Sequence, residues 1–291
     1  MGTLPPTVRA YLRAAHGEPH AVERLGGMGG GRVYRVRCPG RTVVVKGAAR
    51  AAEALFYREV APALAARGVV APALEWDGED AGGWWLVLEA LPWPLPRERW
   101  AADPELLAIL RRLHAADVAP IPAALAPYRP AWTPPMDELA LSLFPADTAA
   151  RLAPTLAALR EAHQHLFAPA GALSGDPNPA NWGLRDDGTL VLYDWERYCR
   201  GAPALDLAIT VPGLGNEPAY RLVAARYLAS GPVPATEAPD PLARDIRAAK
   251  AWSVVEFLSH AAEGQLRAEN TIAWLVRQFP TWLGELIVGS W

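Results

Sequence analysis

The sequence predicts an α+β protein whose small N-terminal part carries an antiparallel sheet and whose larger C-terminal part is mainly helical. Two β-prone stretches, Val33–Cys38 and Arg41–Lys46, flank Pro39-Gly40, an arrangement that is typical of a hairpin. The next stretch, Ala51–Ala66, has apolar side chains four residues apart and predicts a helix. Pro62 is expected to kink or split this helix, because proline has no N–H to donate.

A change of pattern near residue 91 divides the chain into two predicted domains. Trp84–Leu88 is a short apolar run and predicts a strand. Residues 91–96 include three prolines and suit neither the interior of a helix nor that of a sheet. We therefore expect residues 1–91 to form the N-terminal lobe and residues 92–291 the C-terminal lobe, with the proline-rich stretch as the connection.

Beyond this connection the pattern becomes helical. Asp103 is a predicted N-cap, because a proline and a leucine stripe follow it directly. A second helix is predicted over Thr155–Phe167. From Tyr220 onward the chain is predicted to be mostly helix, with breaks at 231–241 and at Pro280.

Composition narrows the class of protein. The chain has 291 residues and is 51% hydrophobic, which is ample for a buried core. A net charge of -3 gives little electrostatic support to a nucleic-acid partner. Its two cysteines lack metal-type spacing and are expected to be reduced thiols of a cytoplasmic protein. The sequence has neither a signal-like N-terminus nor a run of about 20 apolar residues, so no membrane association is expected.

The segment Ser174–Asn181, followed by 191–196, carries the strongest chemical signal. Asp176 and Asn181 have the D-x-x-x-x-N spacing of a kinase catalytic loop, and Asp194 follows a short apolar strand. Asp187-Gly188 predicts a two-residue hairpin turn, and pairing outward from that turn places Asn181 opposite Asp194. An amide oxygen and a carboxylate at one place suit Mg²⁺, so these two residues are the predicted metal ligands.

Asp176 is the predicted catalytic carboxylate, which accepts or orients the proton of an attacking hydroxyl. The plain alternative for Asp176 alone is a turn aspartate that caps backbone amides ahead of Pro177. For Asn181 and Asp194 the plain alternative is a pair of solvated hairpin ends. The common spacing of all three residues favours the catalytic interpretation.

Upstream residues are typical of a phosphate-binding site. The glycine-rich stretch 25–31 precedes a strand, and Gly27, Gly29 and Gly30 would let backbone amides approach phosphates; a flexible loop explains the stretch equally well. Lys46 ends an apolar strand and could reach the α/β-phosphates, with Glu53 as its preferred partner and Glu59 as the second choice. A solvated lysine at a strand end is the plain alternative.

Taken in order, these motifs resemble the aminoglycoside phosphotransferase and choline kinase superfamily. The resemblance comprises the glycine-rich loop, V-V-V-K, E-x-x-x-Y, W-L-V-L-E, R-L-H-A, G-D-x-x-x-x-N and L-Y-D-W-E, and it reaches to about Leu207. It implies a bilobal, protein-kinase-like fold that binds ATP between its lobes and transfers phosphate to a small molecule. It also implies that Glu89 to Leu91 present backbone groups to adenine and that Asp206 is structural.

Ser174 departs from the family pattern, which usually has histidine two residues before the catalytic aspartate. The departure supports an alternative interpretation, a weakly active or inactive nucleotide-binding protein. Transfer of AMP instead of phosphate would use the same residues. A protein substrate is disfavoured, because only twelve positions separate Asp194 from Asp206 and no A-P-E motif follows.

The class of acceptor is left open between two kinds of hydroxylated molecule. Four C-terminal glutamates could meet a cationic, aminoglycoside-like substrate; they are Glu256, Glu263, Glu269 and Glu285. Nearby aromatic residues could instead hold a choline-like ammonium group; they are Trp252, Phe257, Trp274 and Trp282. Solvated carboxylates and core tryptophans are the plain alternative for each residue.

Overall fold

The computed structural model describes residues 4–26, 31–48, 51–80, 83–125, 127–231, 238–266 and 268–288, with only the backbone of 286–288. The predicted glycine-loop residues Gly27, Gly29 and Gly30 lie outside this part of the chain. Two compact units form. Unit 1 comprises Met1–Arg97, Ala115–Arg129 and Ser174–Cys199, and unit 2 comprises Glu98–His114, Pro130–Leu173 and Arg200–Trp291. The division into lobes at residue 91 stays a prediction.

Helices and strands alternate in the first third of the chain, and helices dominate after it. The helices are α1 (Pro6–His16), α2 (Ala51–Leu55), α3 (Ala61–Ala65), α4 (Pro104–His114), α5 (Pro134–Leu141), α6 (Ala146–Ala162), α7 (Pro203–Thr210), α8 (Glu217–Ala229), α9 (Pro239–Ala262) and α10 (Glu269–Val288). The strands are β1 (Ala21–Arg24), β2 (Arg32–Cys38), β3 (Arg41–Ala48), β4 (Leu74–Asp80), β5 (Gly83–Glu89), β6 (Trp93–Pro94), β7 (Gly171–Leu173), β8 (Trp182–Leu184), β9 (Leu190–Leu192) and β10 (Cys199–Gly201). None of the helices in the described ranges has both the length and the apolar character needed to cross a membrane.

An antiparallel five-stranded sheet in the order β1-β2-β3-β5-β4 forms most of unit 1. The predicted hairpin is present as β2 and β3, with Gly40 at φ 73° in its turn. Side chains alternate between the two faces of a strand. Val43 and Val45 therefore enter a core together with helix α1, whose Val8 and Leu12 are fully buried. Lys46 lies on the opposite face.

The predicted helix 51–66 is present in three pieces. A π-helical segment, Phe56–Val60, separates α2 from α3, so the irregularity begins before Pro62 instead of at it. π-helical turns occur mostly as single insertions inside α-helices, often beside functional sites. The segment closely follows Glu53, which lies in α2 and is buried.

A small sheet in the order β6-β8-β9 also belongs to unit 1, and its register corrects a prediction. Trp182 pairs with Leu192 and Leu184 with Leu190, which is one residue away from the predicted pairing. The turn has three residues because Arg185 N donates to Thr189 O (3.0 Å) and Gly188 takes a left-handed φ of 84°. Asn181 therefore lies opposite Tyr193, and the prediction that it faces Asp194 is wrong.

Helices pack around α9 in unit 2, where it contacts α5, α7 and α8. Asp103 caps α4 as predicted, since its Oδ1 accepts from Leu106 N at 3.0 Å. The second helix was predicted to begin at Thr155, but α6 begins at Ala146. Pro280 does not break α10, because the buried neighbours Phe279 and Leu283 hold the helix through packing.

Lys250 on α9 is a buried cation in unit 2 with a hydrogen bond to the end of α7. The residue is 6% exposed, and Nζ donates to the carbonyl oxygen of Val211 at 2.9 Å. Burial lowers the pKa of Lys250 to about 8. An exposed lysine has a pKa of about 10.4, so the folded protein releases this proton at a lower pH than the unfolded chain.

We expect the free energy of unfolding to rise from pH 8 to pH 10, because the unfolded chain then binds a proton that the folded protein has released. The rise attributable to Lys250 over this range is about 2 kcal/mol. Lys250→Met removes the burial cost of the charge, so this variant should exceed the wild type in stability at pH 7 and lose the advantage by pH 10. Urea unfolding at each pH measures this difference; a constant difference would contradict the account.

Candidate active site

The ammonium group of Lys46 contacts three carboxylates at the end of β3. Nζ lies 2.9 Å from Glu53 Oε1, 2.5 Å from Asp194 Oδ1 and 3.3 Å from Glu196 Oε2. The predicted ion pair with Glu53 is thus present, while the contact with Glu196 was not anticipated. Three elements therefore meet at one cation: strand β3, helix α2 and the segment after β9.

Burial and charge oppose one another at this cluster. Burial acts to lower the pKa of Lys46, but Glu53, Asp194 and Glu196 outweigh it and raise that pKa well above its usual value. Glu53 has a side chain only 1% exposed, and its burial raises the pKa of this carboxyl against the influence of Lys46. The surrounding carboxylates therefore favour the charged form of Lys46 and hold its ammonium group in place.

An aromatic stack ties the π-helical segment that follows Glu53 to the segment that carries Asp194. The rings of Phe56 and Trp195 are 4.3 Å apart and nearly parallel, and Tyr198 packs 5.0 Å from Phe56. Phe56 and Trp195 are buried, and Trp195 Nε1 donates to Leu192 O at 2.7 Å. The two carboxylates closest to Lys46 are therefore anchored through one packed core.

Asp176 and Asn181 contact each other across the segment that is predicted to be a catalytic loop. Asn181 Nδ2 donates to the backbone oxygen of Asp176 at 3.0 Å and to its Oδ2 at 3.1 Å. Burial raises the pKa of Asp176 to about 6; Arg197 and the bond from Asn181 act to lower it, whereas Asp194 adds to the rise. Asp194 directly follows Tyr193, whose backbone N donates to Asn181 O at 2.9 Å, so the structure brings the three predicted residues together.

Asp194 lies at the site because of its backbone conformation and not because it pairs with a residue of the neighbouring strand. Tyr193 N donates to Asn181 O at 2.9 Å, which is the last bond of the hairpin. Asp194 then takes the left-handed conformation, with φ 66° and ψ 64°, which is costly for a residue other than glycine. Such strained residues concentrate at functional sites. This turn of the chain brings its carboxylate to Lys46.

The loop between Asp176 and Asn181 is braced by its own neighbours. Asn178 Oδ1 accepts from Ala180 N at 2.9 Å, and Trp182 Nε1 donates to Pro177 O at 3.2 Å. Tyr193 adds a hydrogen bond from its hydroxyl to Ala180 O. Ser174, the residue that departs from the family pattern, is 1% exposed at the start of this loop.

Glu89 and Leu91 lie at the end of β5, where backbone contacts to adenine were predicted. Glu89 N donates to Ala73 O at 2.9 Å, so this amide is already engaged within the protein. The Glu89 side chain accepts two hydrogen bonds of 2.7 Å from Arg185. Leu91 packs closely over Gly183, since a Cβ added to Gly183 would lie 2.6 Å from Leu91 Cδ1.

Two further contacts were not predicted from the sequence. Arg197 follows the L-Y-D-W-E motif directly, and its guanidinium lies 4.2 Å over the ring of Tyr128. In unit 2, buried His114 lies 3.1 Å from Asp206 Oδ2 and 3.0 Å from the hydroxyl of Tyr227. Sequence pattern alone indicates only general packing or a surface position for this histidine. The feature of the sequence that could have indicated a buried contact is the place of this histidine in R-L-H-A, at the end of an apolar helical stripe.

The fold and this site define a class of enzyme, the phosphotransferase enzyme family. A family model of that description matches residues 21–243, and the chain belongs to this family. The predicted superfamily, the protein-kinase-like α+β fold and the class of enzyme are thereby confirmed. Comparison with curated proteins finds no significant match.

Among solved structures, the chain resembles a spectinomycin phosphotransferase in complex with ADP and spectinomycin, at 13% identity and a TM-score of 0.65 over 99% of this chain and 98% of that one. It also resembles the choline kinase LicA from Streptococcus pneumoniae, at 16% identity and a TM-score of 0.63 over 96% and 98%. A choline/ethanolamine kinase family protein from Mesorhizobium loti matches at 20% identity and a TM-score of 0.59 over 97% and 99%. At these identities the likeness concerns the fold.

Gly175 should tolerate no side chain, because its φ is 79° and a Cβ would overlap the backbone oxygen of Arg197. We expect Gly175→Ala to lower the free energy of unfolding by about 2–5 kcal/mol, as the sum of left-handed strain and overpacking. Urea denaturation followed by tryptophan fluorescence measures this change.

Gly188→Ala is the matched control for this prediction. Gly188 has a similar φ of 84°, but a Cβ there would meet nothing within 4 Å. The control should therefore lose only the backbone contribution, about 1–2 kcal/mol. Equal losses in the two variants would show that the contact between Gly175 and Arg197 has no steric importance.

Proposed function

We propose that this protein transfers the γ-phosphate of ATP to a hydroxyl group of a small molecule in a magnesium-dependent reaction. The observation that carries the proposal is the meeting of a buried lysine–glutamate pair with Asp194, beside an Asp176–Asn181 contact, within unit 1. A phosphotransferase needs these groups to hold phosphates, hold a metal and accept a proton.

Lys46 is the proposed ligand of the ATP phosphates. Glu53 fixes its position, and phosphate oxygens can replace Asp194 as its second partner. Val33 and Val44 are half-buried on the same face of the sheet as Lys46, since Val33 pairs directly with Lys46 and Val44 lies two residues away. These valines offer an apolar surface to the adenine base, near the backbone of Glu89 and Leu91, which we propose as its hydrogen-bonding edge.

Asn181 and Asp194 are the proposed magnesium ligands, and their chemistry fits that ion. Asn181 Nδ2 donates to Asp176, which leaves its Oδ1 with the lone pairs that a cation needs. Among the described residues, no three His, Cys, Asp or Glu side chains are arranged to hold a metal by themselves. Mg²⁺ typically takes one or two protein ligands and completes its shell with phosphate and water, and there it would neutralise phosphate charge.

Asp176 is the proposed catalytic carboxylate. It would accept the proton of the acceptor hydroxyl while that oxygen forms a bond to the γ-phosphorus. The bond between this phosphorus and the β–γ bridging oxygen breaks at the same time, and ADP leaves with that oxygen. Asn181 holds one carboxylate oxygen of Asp176, so the base keeps a defined direction.

A small acceptor suits the length of the segment after Asp194. Only a short 3₁₀ turn and strand β10 precede α7, which begins at Pro203. Protein kinases need a long activation segment at this place to bind a peptide. Structural relatives are named for small molecules, spectinomycin, choline and ethanolamine. A screen of aminoglycosides and hydroxylated metabolites for ATP consumption tests this class.

Asp176→Ala should lower phosphoryl transfer by about 100-fold or more, because the acceptor hydroxyl loses its proton acceptor. Binding of Mg·ATP should stay within about twofold of the wild type, since Asp176 contacts the acceptor instead of the nucleotide. Product formation with the best acceptor of the screen, together with calorimetry of Mg·ATP, measures both. Mass spectrometry of the product separates transfer of phosphate from transfer of AMP.

Asp187→Ala is the matched control, because Asp187 is an exposed carboxylate in the turn of the same hairpin. It should transfer phosphate at close to the wild-type rate. If Asp176→Ala also retained that rate, the assignment of the base would be wrong.

Asp194→Ala should weaken the binding of Mg·ATP by about tenfold or more, because the metal loses its carboxylate ligand. ATP without Mg²⁺ should bind this variant at least as well as the wild type, because a carboxylate that repels phosphates is gone. Calorimetry with and without Mg²⁺ measures the two affinities. An unchanged Mg·ATP affinity would remove Asp194 from the metal site.

A further inference from the structure

Arg197 packs directly against the catalytic loop. A Cβ on Gly175 would overlap the backbone oxygen of Arg197 and lie 2.8 Å from its Cβ, so the two residues touch immediately before Asp176. The positive charge of Arg197 also acts on the Asp176 carboxylate. A fixed cation at this place would decide where the carboxylate points.

Tyr128 fixes the guanidinium of Arg197. The guanidinium carbon lies 4.2 Å from the centre of the tyrosine ring, which is within the range of a strong cation–π contact. A guanidinium NH₂ group also donates to the Tyr128 hydroxyl. A planar guanidinium that is stacked and hydrogen-bonded at once has one orientation, which an ammonium group could not reproduce.

The segment that carries Tyr128 belongs to the same compact unit as the loop. Residues 115–129 follow α4 in the chain, yet they cluster with unit 1, to which Asp176 and Arg197 also belong. Over the described part of this segment, a single 3₁₀ turn, Ala123–Leu125, is the only regular structure. The segment is anchored by buried apolar side chains, and Tyr128 lies near its end.

We propose that Arg197 and Tyr128 form a positioning pair for Asp176, in which the tyrosine orients the guanidinium and the guanidinium holds the carboxylate in its catalytic direction. This inference rests on the proposed function and adds two residues to it. Neither residue is a catalytic residue, because both act through Asp176. The pair should therefore govern the rate of transfer and leave nucleotide affinity unchanged.

Single-turnover hydrolysis of Mg·ATP labelled at the γ-phosphate tests the pair without a known acceptor, because water takes the place of the hydroxyl. Excess full-length protein is used, and calorimetry gives the affinity for Mg·ATP. Arg197→Ala should lower the rate constant by about 100-fold, the effect expected from a misdirected reacting group, with affinity within about twofold. Arg197→Lys should recover little of the rate, because lysine lacks the planar stack.

Chemical rescue separates positioning from a structural role. Guanidinium chloride at millimolar concentration should raise the rate constant of Arg197→Ala at least about tenfold. Methylammonium chloride at the same ionic strength should not raise it. Tyr128→Phe keeps the ring, so it should lose only a few-fold, while Tyr128→Ala should approach Arg197→Ala. Arg200→Ala is the matched control, since Arg200 lies three residues away and donates to Ala170 O.

Two results would overturn the inference and leave the proposed function standing. In the first, Arg197→Ala has a rate constant within about twofold of the wild type. In the second, guanidinium does not reverse the loss of rate in Arg197→Ala. A different result would overturn the proposed function and the inference with it, namely a wild type without Mg²⁺-dependent turnover, or turnover that Asp176→Ala leaves unchanged. Circular dichroism of every variant confirms that the compared proteins are folded.

Discussion

One ammonium group unites the parts of the site. Lys46 Nζ lies within 3.3 Å of carboxylates from α2 and from the segment after β9. Removing this lysine leaves the buried carboxylate of Glu53 without its cation, and breaking a buried ion pair typically costs a protein several kcal/mol. Glu53 is the extreme case, because its side chain is 1% exposed. The same cation thus stabilises the local fold at the place where we propose that phosphates bind.

Contacts between residues that are close in the chain could be predicted from the sequence, because these contacts depend on local chain geometry. The Lys46–Glu53 pair followed from a strand that ends beside a helix with its acidic residue on the buried face. Asp176 and Asn181 followed from a fixed five-residue spacing, and the two side chains do touch. Asp103 and the β2–β3 hairpin were equally local and equally correct.

Features that depend on backbone conformation or on distant segments could not be predicted. The turn at Asp187-Gly188 has one residue more than its dipeptide indicated, and the hairpin register shifted with it. Asp194 still reaches the site because it adopts a left-handed conformation, which no residue pattern announces. The contact between Arg197 and Tyr128 joins residues 69 positions apart, so tertiary structure was needed to find it.

The central claim is that Lys46, Asp194, Asn181 and Asp176 surround one metal-bound triphosphate. A crystal structure of the protein with Mg²⁺ and a non-hydrolysable ATP analogue tests it most directly. The account predicts Mg²⁺ at about 2.0–2.1 Å from oxygens of Asn181 and Asp194, Lys46 bonded to phosphate, and Asp176 open to an acceptor. A nucleotide bound elsewhere, with the ion pair of Lys46 and Asp194 unchanged, would contradict it.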